Sequence, residues 1–132
     1  MPEYKIPDDL RYTKDHEWAR LENNVVTVGI TDYAQNELSD IVYFEPPEVG
    51  TTVKQGDTLG TIEAVKTVAD LYSPMSGKVT EVNKSLADDP SVVNRDPYGE
   101  GWMVKLEISD PSEWDKLLTA EEYKKLLAEE EG

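Results

Sequence analysis

Lys66 is the residue of this chain whose surroundings most suggest covalent chemistry. It lies in Gly60-Thr61-Ile62-Glu63-Ala64-Val65-Lys66-Thr67-Val68-Ala69-Asp70-Leu71-Tyr72, a run of strand-favouring residues interrupted at its middle by a primary amine. Glycines stand at nearly equal distances on either side, Gly56 ten residues before Lys66 and Gly77 eleven after. Each opens a similar phrase, Gly56-Asp57-Thr58-Leu59-Gly60 and Gly77-Lys78-Val79-Thr80-Glu81. The pattern predicts two related halves meeting at a hairpin, with Lys66 presented at its tip. An amine so placed suits covalent attachment of a cofactor. Most lysines in hairpin turns are plain solvated charges, and spacing alone does not separate the two readings.

Other chemistries lack parts. The chain has no cysteine, which removes disulfides, thiolate metal sites and cysteine nucleophiles. Any redox sulfur must arrive on a cofactor. His16 is the single histidine, so a Ser-His-Asp triad could be built only around it, and beside Trp18 it reads as a packing residue. No phosphate loop, dinucleotide fingerprint or calcium loop occurs. These gaps leave the chain poorly equipped as an enzyme, with no catalytic residue and no metal expected.

Composition narrows the partners. With 28 acidic against 13 basic residues the net charge is −15, the opposite of the basic footprint that nucleic acid requires. Such charge favours solubility and steering toward basic protein surfaces. Three tryptophans and seven tyrosines among patterned Val, Ile and Leu argue for a folded chain over a disordered one. At 132 residues a single domain, 1–132, with a modest core is expected. No apolar run approaches membrane-spanning length and the N-terminus has no signal core. A cytoplasmic monomer without a membrane partner is the expectation.

The elements that must position Lys66 follow from local patterns. Residues 1–9, with two prolines and three acids, predict an extended, loosely held arm. A strand near His16–Leu21 turns at Glu22-Asn23-Asn24 into a second, Val25–Ile30. Thr31 or Asp32 caps a short helix through Leu38, with Tyr33, Ala34, Glu37 and Leu38 on one face. Asp40–Glu45 predicts a buried strand, stopped by Pro46-Pro47. After the lysine hairpin and a turn at Ser73–Gly77 come a strand over Lys78–Asn83 and a helical turn near Ser85–Pro90. The last strand, Trp102–Ile108, places Trp102, Val104, Leu106 and Ile108 on one face. Two helices over 111–129 close the chain: Asp110-Pro111-Ser112-Glu113 starts the first, and Thr119-Ala120-Glu121-Glu122 repeats the capping-box spacing for the second.

Several blocks together resemble a known family. Glu63-Ala64-Val65-Lys66-Thr67-Val68-Ala69-Asp70-Leu71-Tyr72-Ser73-Pro74-Met75-Ser76-Gly77 is similar to the lipoylation segment of glycine cleavage system H proteins. The resemblance extends to Tyr12-Thr13-Lys14-Asp15-His16-Glu17-Trp18, Val28–Gln35, Asp40–Tyr43 and Val93–Trp102, in the same order along nearly the whole chain. It implies a mainly β barrel-sandwich hybrid of the biotinyl/lipoyl-carrier type, with a short inserted helix and C-terminal helices. It implies lipoic acid in amide linkage to Lys66. The implied role is a shuttle. The arm accepts the aminomethyl group of glycine from the decarboxylating glycine dehydrogenase and delivers it to the aminomethyltransferase. Dihydrolipoamide dehydrogenase then reoxidises it. Glu17 and Asp70 match family positions near the cleft that shelters the loaded arm, and on this resemblance Glu63 and the Gly/Asp turns are expected to help the lipoate-attaching enzyme recognise the hairpin. Ala64 stands where serine is usual, and Thr67-Val68-Ala69 replaces a more familiar small-residue run.

Two competing classes share the hairpin logic or dispense with it. Lipoyl domains of 2-oxoacid dehydrogenases and biotinyl carriers present a lysine in the same way. Against biotin, Val65 and Thr67 flank the lysine in place of methionines. Against an acyltransferase lipoyl domain, the chain carries an extra N-terminal hairpin and C-terminal helices. A plain acidic interaction domain with an unmodified Lys66 is the remaining class, and intact mass separates it from every carrier.

Overall fold

The computed structural model describes residues 4–131. In chain order these form β1 (Arg11–Tyr12), β2 (Glu17–Glu22), β3 (Val25–Ile30), α1 (Asp32–Leu38), β4 (Ile41–Glu45), β5 (Thr52–Val53), β6 (Thr58–Ala64), β7 (Val68–Tyr72) and β8 (Gly77–Val82). There follow α2 (Ser85–Asp88), α3 (Val92–Arg95), β9 (Val104–Ile108), a 3-10 helix (Pro111–Lys116) and α4 (Ala120–Glu131). The strands make two antiparallel sheets, one ordered β1-β2-β3-β9-β8-β5 and one ordered β4-β6-β7. The architecture is a mainly β barrel-sandwich.

The sandwich core lies between the sheets. Val26, Val28, Val104 and Leu106 from the large sheet are buried together with Phe44, Ile62 and Leu71 from the small one. Removing such side chains from water is the main force holding the sheets face to face. A second cluster joins Leu10, Tyr12 and Trp18 to Ala120, Tyr123 and Leu127 of α4, with the Tyr12 and Tyr123 rings stacked at 4.7 Å between centroids. Two glycines permit close approaches inside the sheets. Gly29 pairs across β2–β3 with Trp18, whose indole occupies the space a Cβ would need. Gly77 lies against the Glu107 carbonyl with no room for a side chain.

The capping box at α4 forms as expected, with Thr119 N–H donating to Glu122 Oε1 at 2.8 Å and Glu122 N–H to Thr119 Oγ1 at 3.2 Å. Other expectations are corrected. Glu113 does not return to its own helix start. It is buried, and its carboxylate accepts Ser76 N–H at 2.6 Å and Ser76 O–H at 2.7 Å. Strand β4 is not buried throughout, because it is an edge strand: Ile41 and Phe44 point inward while Val42, Tyr43 and Glu45 are exposed. Met103 is buried and Trp102 only partly so. Both precede β9, where Met103 N–H bonds Val28 C=O at 2.8 Å, so the strand alternation does not extend to them.

The N-terminal arm has no regular secondary structure over residues 4–7 and turns at Asp8-Asp9, and it is tied down wherever it is described. Lys5 N–H donates to Asp32 Oδ2 at 3.0 Å, Tyr12 O–H donates to Pro7 C=O at 2.6 Å, and the Tyr4 ring meets Tyr33 edge-on at 5.2 Å. Residues 1–3 of the expected arm lie outside the described residues.

Candidate functional site

Strands β6 and β7 pair in register, Thr61 with Asp70, Ile62 with Ala69 and Glu63 with Val68, leaving Val65-Lys66-Thr67 as the tip. Ala64 N–H bonds Thr67 C=O at 2.8 Å across the turn, and Val65 N–H bonds Asp40 C=O at 3.0 Å, fastening the tip to the chain entering β4. Lys66 is exposed, with no ion pair or hydrogen bond among the described residues. Its root is therefore fixed while its amine is free.

The carboxylates matched to the family take three different places. Glu17 opens β2 and is only 2% exposed. The loop before it folds back, Thr13 N–H donating to Glu17 C=O at 3.0 Å, which brings the Thr13 hydroxyl against the glutamate. That hydroxyl accepts Glu17 N–H at 3.1 Å and donates to Glu17 Oε1. The other oxygen, Oε2, accepts Tyr72 N–H at 3.3 Å from the edge strand β7. Burial pushes the Glu17 carboxyl up to about 7, against the lowering effect of the Thr13 and Tyr72 hydrogen bonds, with nearby Asp15 adding to the rise. Asp70 is exposed on β7, and its Oδ2 accepts a long 3.5 Å hydrogen bond from the Tyr72 hydroxyl. Glu63 is exposed too, on the outer face of the small sheet between Tyr43 and Val68.

Glu17 and Asp70 meet at one cleft of about 320 Å³, which Glu63 does not line. Its walls come from Ile30, from Tyr33, Ala34, Glu37 and Leu38 of α1, and from Ile62 and Ala69 of the hairpin, with Asp15 and His16 beside Glu17. The α1 residues are the set that helical spacing placed on one face. Asp70 follows Lys66 by four residues, about 13 Å along an extended chain. A second hollow of about 280 Å³ shares Asp15 and Glu17 but opens beside Tyr72–Pro74, farther from the lysine. Apolar side chains from α1, β3 and the hairpin, with the carboxylates of Asp15, Glu17, Glu37 and Asp70 around them, suit a flexible aliphatic chain with a cationic end, so the residues present fit a lipoyl arm rooted at Lys66.

Sequence reasoning missed Thr13 as the partner of Glu17, though their spacing in Thr13-Lys14-Asp15-His16-Glu17 was open to view. His16, expected to be packing, also links elements. Its φ is +69°, its Nδ1 lies 2.9 Å from the Tyr123 hydroxyl, and its Nε2 lies 3.3 Å from Glu130 Oε2. The Tyr123 hydroxyl is also 2.7 Å from Thr31 Oγ1, the N-cap that accepts Ala34 N–H at the start of α1. The C-terminal helix thus supports the cleft wall.

The glycine cleavage H-protein profile matches residues 10–130 of the chain. The chain belongs to this family. It is 53% identical over 124 residues to a glycine cleavage system H protein of Staphylococcus epidermidis, covering 94% of this chain and 98% of the relative. The same identity and coverage hold for a glycine cleavage system H protein of Staphylococcus haemolyticus. The crystal structure of a glycine cleavage system H protein from Mycobacterium marinum superposes with a TM-score of 0.84 at 40% identity, covering 93% of this chain and 99% of that one. The family fold is accordingly this two-sheet sandwich, with its helices on the flanks.

Proposed function

We propose that this protein is the lipoyl-carrying shuttle of the glycine cleavage system, a carrier subunit with lipoate in amide linkage to Lys66. The observation that carries the proposal is the free amine of Lys66 on a fixed hairpin tip, one strand's length from a cleft that ends at Glu17. Lipoate supplies a dithiolane whose sulfur holds the aminomethyl group between partner enzymes and is afterwards reoxidised. The chain itself breaks no bond of the substrate. Its residues root the arm, and the cleft walls of Ile30, Ala34, Leu38 and Ile62 exclude water from it. Glu17, with Asp70 at the rim, offers negative charge to an ammonium end. Tethering raises the local concentration of the carried group at each visit.

The partners on this reading are the decarboxylating glycine dehydrogenase, the aminomethyltransferase and dihydrolipoamide dehydrogenase, with a lipoate-attaching enzyme upstream. Carbon and redox chemistry belong to the cofactors those enzymes hold. The acidic surface, net charge −15, favours basic docking faces on them. No described helix is long and apolar enough to cross a membrane.

The test is intact mass of the natively produced protein with peptide mapping across Lys66. A lipoyl-sized increment on Lys66, absent from Lys66→Ala, is expected. An unmodified lysine in cells that supply lipoate and its attaching enzyme overturns the proposal, and a biotin-sized increment moves the chain to the carboxylase carriers.

A further inference from the structure

Glu17 lines both the cleft of about 320 Å³ and the hollow of about 280 Å³ beside Tyr72–Pro74. The two groups that bond its carboxylate, the Thr13 hydroxyl and the Tyr72 N–H, belong to residues that line the second hollow and not the cleft. The carboxylate is thus held from behind. Register puts Thr13 there. Tyr12 pairs with Trp18 across β1 and β2, so Thr13 falls opposite Glu17, and Lys14-Asp15-His16 closes the hairpin. His16, the last residue of that three-residue loop, takes the left-handed φ of +69° that such loops use. Thr13 N–H donates to Glu17 C=O at 3.0 Å and His16 N–H to Thr13 C=O at 3.1 Å, which fixes the turn without the Thr13 side chain.

The direction of both carboxylate bonds is set. The Thr13 hydroxyl oxygen accepts Glu17 N–H at 3.1 Å and sends its one proton to Oε1, while the Tyr72 amide can only donate to Oε2. Facing two donors, the group is served better as a carboxylate than as a carboxylic acid. Burial works the other way, and so does nearby Asp15. Around Glu17 stand Asp15 and His16 of its own loop, Tyr33 and Glu37 of α1, and Asp70 and Tyr72 of β7, with Tyr12, Lys14 and Lys116 at the second hollow. No lysine or arginine is among the described residues that line the cleft. The Thr13 hydroxyl is therefore the side chain that opposes burial at Glu17.

We propose that Thr13 is a positioning residue of the carrier: its hydroxyl, bonded to Glu17 on the side away from the cleft, holds that carboxylate in place to pair with the ammonium end of the loaded arm. The inference rests on the lipoyl-carrier reading and adds the residue through which Glu17 is kept ready. Each carboxylate oxygen has a second acceptor site, so the ammonium is taken up without breaking the bond to Thr13 or to Tyr72. Thr13 itself touches neither arm nor substrate. Without its hydroxyl, Oε1 loses a donor, burial is less opposed, and a larger share of Glu17 is protonated at neutral pH and offers the ammonium no charge.

The test compares full-length wild type, Thr13→Val and Thr13→Ser, each lipoylated and loaded from glycine by the decarboxylating glycine dehydrogenase, by the rate of ammonia release once that enzyme is removed. Thr13→Val is expected to release ammonia roughly fivefold to tenfold faster than wild type at pH 7, and Thr13→Ser, which keeps the hydroxyl, at the wild-type rate. The ratio of Thr13→Val to wild type is expected to shrink as pH rises to 9, where Glu17 ionises in both. In a Glu17→Gln background Thr13→Val is expected to add less than about twofold, because its effect passes through Glu17. Carboxyl NMR of the unmodified chains, which needs neither lipoate nor a partner enzyme, is expected to show Glu17 titrating about one pH unit higher in Thr13→Val. Thr13→Ala takes its place where Thr13→Val does not fold. Release at the wild-type rate, a ratio that does not change with pH, an equal factor in the Glu17→Gln background or an unshifted Glu17 titration overturns the role of Thr13 while leaving the carrier reading intact. A wild-type chain that accepts no lipoate overturns the carrier reading itself and the role of Thr13 with it.

Discussion

Glu17 Oε2 accepts the backbone N–H of Tyr72 at 3.3 Å, joining residues 55 apart in sequence. This bond ties a buried carboxylate to the open edge of the strand that leaves Lys66, and so places a titratable group at the end of the cleft, one strand's length from the lysine.

The first prediction concerns that carboxyl and pH. Its folded value of about 7 lies above the ordinary 4.5, so between those values the folded protein holds more protons than the unfolded chain. The stability this group contributes is full below pH 4.5 and is lost as pH rises through 7, a swing of about 3 kcal/mol. Urea unfolding at pH 5 and pH 8 should show the wild type weakening by more than Glu17→Gln. Equal pH dependence in the two proteins would refute the assignment.

The second concerns the loaded arm. With the aminomethyl ammonium in the cleft, Glu17→Gln should release ammonia about tenfold faster than wild type. Asp70→Asn should have a smaller effect, since Asp70 is exposed and screened. Ammonia release from the loaded carrier, free of partner enzymes, measures both. Unchanged rates in the two variants would remove the carboxylates from the cleft's function.

The third concerns the support behind the cleft. Tyr123→Phe deletes the hydroxyl that reaches both His16 Nδ1 and Thr31 Oγ1, while keeping the ring stacked on Tyr12. A loss of about 1–3 kcal/mol is expected because two buried or half-buried polar groups lose their partner. Faster amide exchange at Ala34, whose N–H is capped by Thr31, should accompany it. A stability loss with no change at Ala34 would confine the role of Tyr123 to the helix itself.

The fourth tests Glu113. Its two bonds to Ser76 pin the turn between β7 and β8, and Ser76 Oγ in turn accepts Gln55 N–H at 2.9 Å. Glu113→Ala should cost about 1–3 kcal/mol and speed exchange at both amides, whereas Glu113→Gln should lose less. Protection at Gln55 that survives the alanine variant would show the relay to be unimportant.

Much of the fold was open to view in the residues because it rests on local chemistry. The α1 cap at Thr31, the α4 capping box and the hairpin around Lys66 depend on side chains a few positions apart. Elements that missed their expectation depend on distant partners. β1 and β5 are two residues long and exist through pairing with β2 and β8, and α3 is a single turn without a capping side chain. Glu113 had a plausible local role as a capping acid, and only the fold brings Ser76 to it.

By itself the sequence singled out the lysine proposed for modification and the acids that were candidates to attend it, because the amine, the strand-forming flanks and the family-like blocks are all properties of contiguous stretches. Tertiary structure decided what those acids are. Glu17, Asp70 and Glu63 are alike as letters, yet one is buried with its carboxyl pushed up to about 7, one stands at the cleft rim, and one faces outward among exposed Tyr43 and Val68. The reason is that burial, and with it the cost of keeping a carboxylate charged, is set by what packs around a side chain from elsewhere in the chain.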